Sequence, residues 1–145
     1  GELKNTLVSS RSAKEYGVES NYAEAGENLR SPNMRPGELN HDQVVSKLDK
    51  GLFLSNIHYL NWSDIAGGRI TALTRYACFW VEGGEIVAPI ETMRFDDSFY
   101  RFFGERLLEV EDTASINPEV GTYGGRSMGA TICPGILVDS FSLTL

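Results

Sequence analysis

The chain has 145 residues, room for one hydrophobic core rather than two, and sets thirteen Lys and Arg against twenty Asp and Glu for a net charge of -7. Basic residues scattered through an acidic chain argue against a nucleic-acid surface, which needs clustered Lys and Arg. Two cysteines without framework spacing, no apolar run near the ~20 residues that span a bilayer, and no charged-then-apolar opening segment predict a soluble protein of the reducing cytoplasm that binds neither nucleic acid nor membrane.

From the start to Gly17, apolar residues mix with Ser and Lys, and Leu3 and Leu7 fit a strand or one helical turn equally well. Residues 18–37 are rich in Asn, Ser, Glu, Gly and Pro, which predicts a long loop open to partial disorder. A helix start follows: Asn40 as N-cap, Gln43 three residues on as in a capping box, and Leu39 placed to staple onto Val44. Val44, Val45 and Leu48 make its apolar stripe and Gly51 its C′ residue, giving about three turns. A strand from Leu52 to Leu60 comes next.

From Arg69 to Glu82 run fourteen residues rich in β-branched and aromatic types, then Gly83-Gly84, then a second run from Glu85 to Phe95. Two glycines between two such runs predict a hairpin, because primed turns need the positive φ that glycine adopts without a Cβ penalty. Alternation places Tyr76, Cys78 and Trp80 on one face and Ala77, Phe79 and Val81 on the other, both apolar, so the strand reads as covered on two sides. Pro89 cannot donate to a ladder and marks an edge or a bulge.

Asp96-Asp97-Ser98 reads as the cap of a second helix running to about Val110, with Phe99, Phe102, Phe103, Arg106 and Leu107 toward the core. Gly104 weakens that helix by ~1 kcal/mol and permits a break. A glycine-rich loop from Asn117 to Gly129 carries Tyr123, Arg126 and Met128, and Pro134-Gly135 precedes a last strand from Ile136 to Leu143. The pattern predicts one domain over residues 1–145, of class α+β, dominated by a mostly antiparallel sheet curled into a barrel or sandwich with two short helices.

Five segments, GELKNTLVSSRSAKEYG, NLRSPNMRPGEL, GLFLSNIHYLN, VEGGEIVAPIETMRF and CPGILVDSFSLTL, occur in an order and at a spacing that resemble the TldD/PmbA proteins, metallopeptidases once labelled modulators of DNA gyrase. The resemblance covers nearly the whole chain and places it as the C-terminal portion of such a protein. It implies a barrel-like domain, zinc in the intact protein if its His motif is present, and a homo- or heterodimer with a family member. In active members the His-containing zinc helix lies upstream of the matched region, and a cysteine in the glycine-rich loop before the last strand is a further ligand.

This chain cannot assemble that centre from its own residues. A zinc peptidase needs two helical His one turn apart, a third ligand and a Glu base. His41 and His58 are the only histidines, seventeen residues apart, no HE motif occurs, and Val120 to Gly129 holds no cysteine. No cofactor is therefore expected in this chain and no catalytic residue; Cys133, directly before Pro134, is the weak candidate ligand, against a reading as a small packed thiol, and Cys78 reads as packed.

The candidate cleft-lining residues are His58, Tyr59 and Asn61, a polar cluster at a strand end, where rigid elements position binding groups. The His-Tyr pair also resembles a subgroup of the family. Arg75 and Arg94 could offer guanidinium forks to a peptide carboxylate, or to Glu82 and Glu91, with a solvated edge as the plainer reading for Arg75. Arg11 falls within the family-like opening segment; solvation is its plainer account. The sequence thus predicts a cavity-framing domain of a TldD/PmbA-like zinc peptidase that lends strand edges to an extended peptide, with a non-catalytic partner subunit or binding module as the alternative.

Overall fold

The computed structural model describes residues 2–126 and 128–144; Gly1, Ser127 and Leu145, which fall in the opening segment, the glycine-rich loop and the closing segment, lie outside the described residues. The chain divides into two compact units, one of residues 1–35 with 115–133 and one of residues 36–114 with 134–145.

The first unit opens on residues 2–8 without regular secondary structure and then forms helix α1 (Ser10–Tyr16). Its ends follow from local chemistry. Ser9 Oγ accepts from the Ser12 N–H at the N-cap, and Gly17 closes the helix at φ 67°. The Asn21 side chain pins this opening stretch, accepting from the Val8 N–H and donating to the Thr6 carbonyl. The run from residue 18 to residue 37 is irregular, as composition predicts. Asn33 bridges Ile132 in parallel fashion.

In the second unit the Asn40 cap is real but the helix is shorter than predicted. Asn40 Oδ1 accepts from the Asp42 N–H, over a 3-10 turn, His41–Gln43, that leads into helix α2 (Val44–Leu48). Asp49, at φ 55°, ends it, and Gly51 already belongs to a strand rather than to the helix terminus. Leu39 is buried, and Val44, Val45 and Leu48 are half-buried.

Two strands divide the predicted Leu52–Leu60 run: β1 (Gly51–Leu54) and β2 (Ile57–Asp64). The fourteen-residue strand is likewise two, β3 (Arg69–Thr74) and β4 (Cys78–Glu82), broken at Arg75-Tyr76-Ala77, where Tyr76 takes φ 64°. Cys78 holds the break, its amide donating to the Tyr76 carbonyl and its thiol to the Arg75 carbonyl at 3.2 Å. The glycine turn is as predicted: Gly83 and Gly84 have φ 63° and 74° and link β4 to β5 (Glu85–Pro89). Pro89 sits on the edge strand of the sheet ordered β1-β4-β5, and a bulge interrupts the β4–β5 register. Cys78 and Val81, on opposite faces of β4, are buried, while Phe79 and Trp80 are only half-buried.

The second sheet runs β2-β3-β6-β9, with β6 (Arg94–Ser98), β9 (Leu143–Thr144) and antiparallel pairing throughout. Its inner face, with Ile70, Ala72 and Phe95, packs on Phe102, Phe99, Val138, Phe141 and Leu143. This replaces the predicted second helix. Asp96 and Asp97 are strand residues, not caps; only Phe99, Tyr100 and a π-helical turn, Arg101–Glu105, are helical. Gly104 breaks that turn at φ -124°, ψ -107°, and the chain enters β7 (Leu107–Pro118). The last predicted strand also moves: β8 (Ala130–Val138) runs straight through Pro134-Gly135 and forms a two-stranded sheet with β7. The class is α+β with mostly antiparallel sheets and short helices, but among the described residues no sheet closes into the expected barrel; there are three separate sheets.

Candidate functional site

The four-stranded sheet gathers most of the candidate residues. Directly opposed residues of antiparallel strands point to the same face. His58 opposes Leu73, Leu73 opposes Arg94, and Arg94 opposes Thr144, so His58 and Arg94 share the outer face, opposite the aromatic core. Asn61 joins them for a specific reason. His58 and Asn61 are an odd number apart and in a regular strand would face opposite sides, yet a bulge between them sets Asn61 against Thr71, on the outer face again.

Tyr59, at the bulge, takes φ 52° and is 69% exposed. A positive φ is unusual for a bulky residue and is held by its surroundings. Its carbonyl accepts from Asn61 Nδ2 at 3.3 Å, and its ring meets that of His58 edge-on, centroids 4.5 Å apart. Arg94 Nε donates to Thr71 Oγ1 at 3.1 Å. Arg75, just past the end of β3, donates its backbone N–H to the Asn56 carbonyl and lays its guanidinium over the Tyr76 ring at 5.2 Å. The start of β2, the end of β3 and the start of β6 coincide, so His58, Arg75 and Arg94 lie at one end of one sheet.

Of the alternatives for these arginines, pairing with Glu82 and Glu91 does not form among the described residues. Glu82 pairs with Lys50 at 3.2 Å, and among the described residues neither Arg75 nor Arg94 forms a salt bridge. Asp96, on the same outer face, is taken by Arg69. Arg11 stands exposed on α1, in the first unit. Cys133 is half-buried in β8 with its sulfur 4.0 Å from Met34 Sδ.

Two features escape sequence reasoning. Thr71, which orients Arg94, is visible only once Arg69–Thr74 is known to be a short strand alternating polar and apolar residues. His41 Nδ1 lies 3.2 Å from Glu111 Oε2, and the His41 amide donates to Asp112, contacts seventy or more residues apart in sequence. A surface depression lined by Leu3, Lys4, Thr6 and Asn21 belongs to the first unit and holds none of the candidate residues.

A family model described as the PmbA/TldA metallopeptidase C-terminal domain matches residues 1–145. The chain belongs to the PmbA/TldD family. No curated protein matches the sequence. Among solved structures, TldE from Thermococcus kodakarensis is similar, with TM-score 0.73 and 19% identity over 94% of this chain and 30% of that one. A candidate modulator of a DNA gyrase from Thermotoga maritima is similar too, with TM-score 0.71 and 20% identity over 98% of this chain and 31% of that one. At such identities the likeness establishes a common fold, and the chain spans under a third of either relative's length.

The described residues of this PmbA/TldD domain hold no ligand set of the kind a zinc centre needs. Among the described residues no three of His, Cys, Asp and Glu gather as a metal requires. His41 and His58 sit on separate elements, the 3-10 turn and β2, and the glycine-rich loop offers no thiol. No helix among the described residues is long and apolar enough to cross a membrane.

Proposed function

We propose that this chain is the cavity-framing portion of a PmbA/TldD-type peptidase of the cytoplasm, with the zinc-bearing helix supplied by a region outside it and a second family member as its dimer partner. In this reading the domain performs no bond cleavage. It holds an extended peptide by backbone hydrogen bonds at strand edges and by polar side chains at their ends. The observation that carries the proposal is the bulge in β2, which turns His58 and Asn61 to one face beside Arg94 at the end of a rigid sheet. Bulges that re-aim side chains concentrate next to binding sites.

A second reading, a non-catalytic partner subunit, is favoured by the loop of residues 120–129 lacking a cysteine. Two histidines one helical turn apart in the rest of the protein would decide for the peptidase. For the chain itself, elemental analysis and a peptide-cleavage assay are the test: no stoichiometric zinc and no cleavage are expected, with an extended peptide nevertheless bound. About one zinc per chain, lost on Cys133→Ser, would overturn this assignment.

A further inference from the structure

We propose that the outer face of the four-stranded sheet, at the end where His58, Arg75 and Arg94 gather, binds a carboxylate of the extended peptide. The inference rests on the peptide-framing reading above and gives that site a ligand class. Its basis is a local charge imbalance opposite to the global one. The chain carries a net charge of -7, yet among the described residues Arg75 and Arg94 form no salt bridge, while Asp96, on the same face, is engaged by Arg69. Glu91, whose carbonyl accepts from Thr74 Oγ1, forms no salt bridge with either arginine among the described residues.

The geometry of Arg94 favours a carboxylate over other acceptors. Its Nε is committed to Thr71 Oγ1, which fixes the guanidinium plane and leaves the two terminal nitrogens as an oriented fork. A fork of that kind matches the two oxygens of a carboxylate, and pre-orientation reduces the entropy lost on binding. Arg75, laid over the Tyr76 ring, is similarly restrained. His58 stands two strands from Arg94, about 10 Å away, with Leu73 between them as an apolar step for the ligand's aliphatic stem. A dense polyanion would meet the repulsion of the whole acidic chain, whereas a single carboxylate on a largely neutral peptide gains the short-range hydrogen bonds and little of the long-range penalty.

The carboxylate could belong to an acidic side chain or to a peptide C-terminus, and one experiment separates them. Three short extended peptides carrying a neutral dye are titrated by anisotropy: one uncharged with an amidated end, one amidated with a central Glu, and one without acidic side chains but with a free C-terminus. The expected result is binding about tenfold tighter for one or both carboxylate peptides than for the uncharged one. The difference should collapse in Arg94→Gln, survive in part in Arg94→Lys, and shrink with added salt. Arg75→Gln, outside the strand ladder, is a second arm should Arg94→Gln alter the far-UV spectrum. Equal affinity for all three peptides, or full discrimination retained in both Gln variants, would overturn the carboxylate assignment and leave peptide framing standing. Absence of binding by every peptide would overturn the peptide-framing reading and this inference with it.

Discussion

Phe95 is fully buried and its ring meets those of Phe141 and Phe102 at 4.8 and 6.4 Å, whereas Trp80 and Phe79, which strand alternation places on two covered faces, are half-buried. Phe95→Ala should therefore cost ~3–5 kcal/mol through loss of burial and an unfilled cavity. Trp80→Ala should cost clearly less, and chemical denaturation of the two variants would reveal a reversed order. A second residue-level expectation concerns Glu27. The Ser9 backbone N–H, then the Ser12 and Ser9 hydroxyls, stabilise its carboxylate and hold its pKa below the ordinary glutamate value. A carboxylate with a depressed folded pKa binds fewer protons folded than unfolded over that range. Its contribution is thus present above the ordinary glutamate pKa and lost as pH falls through the lowered one. The protection factors of the Ser9 and Ser12 amides at the α1 N-terminus, taken against the intrinsic exchange rate at each pH, should fall across that acidic window, and Glu27→Gln should remove the dependence. The same pH profile in Glu27→Gln would assign the effect to another group.

The β4–β5 hairpin divides what sequence reveals about elements from what it hides. Its turn is legible because two consecutive glycines have few other uses between β-rich runs, and both take the positive φ the turn requires. They are not equivalent. A Cβ on Gly83 would meet nothing within 4 Å, whereas one on Gly84 would lie 3.2 Å from Ser46 Cα, and the Gly84 amide donates to the Asp49 carbonyl at 2.8 Å. Gly84→Val should lose at least ~1–2 kcal/mol from the left-handed backbone alone, and Gly83→Asn should be close to neutral. Equal thermal shifts for the two would mean that the turn does not dock on α2. The break at Arg75-Tyr76-Ala77 is illegible by contrast, since Tyr and Ala give no stop signal and tertiary contacts, including the Cys78 thiol on the Arg75 carbonyl, impose it. The same holds for Asp96-Asp97, whose cap-like chemistry is overridden by pairing of Thr71 with Asp96 and Ile70 with Asp97. Of the candidate site, the His58 to Asn61 cluster is legible as polarity at a strand end, but its common face depends on a bulge that no periodicity encodes.

At the scale of the whole molecule, family resemblance implies a dimer. Phe99, Phe102, Phe141 and Leu143 pack in the chain's own core, and the predicted second helix is reduced to a short turn. The free edge of β2 offers one exposed apolar surface for such a contact, with Ile57, Leu60 and Trp62 40%, 43% and 52% exposed. Two register shifts in β2 interrupt the regular ladder that strand-to-strand addition needs, so association there would proceed by side-chain packing rather than by sheet extension. Sedimentation at micromolar concentration should show a concentration-dependent dimer of the chain, and Leu60→Lys, which places a charge on that edge, should shift it to monomer without lowering thermal stability. A monomer at all concentrations, or a dimer indifferent to Leu60→Lys, would remove the β2 edge as the contact, and the first of these results would also favour a module that binds peptides alone.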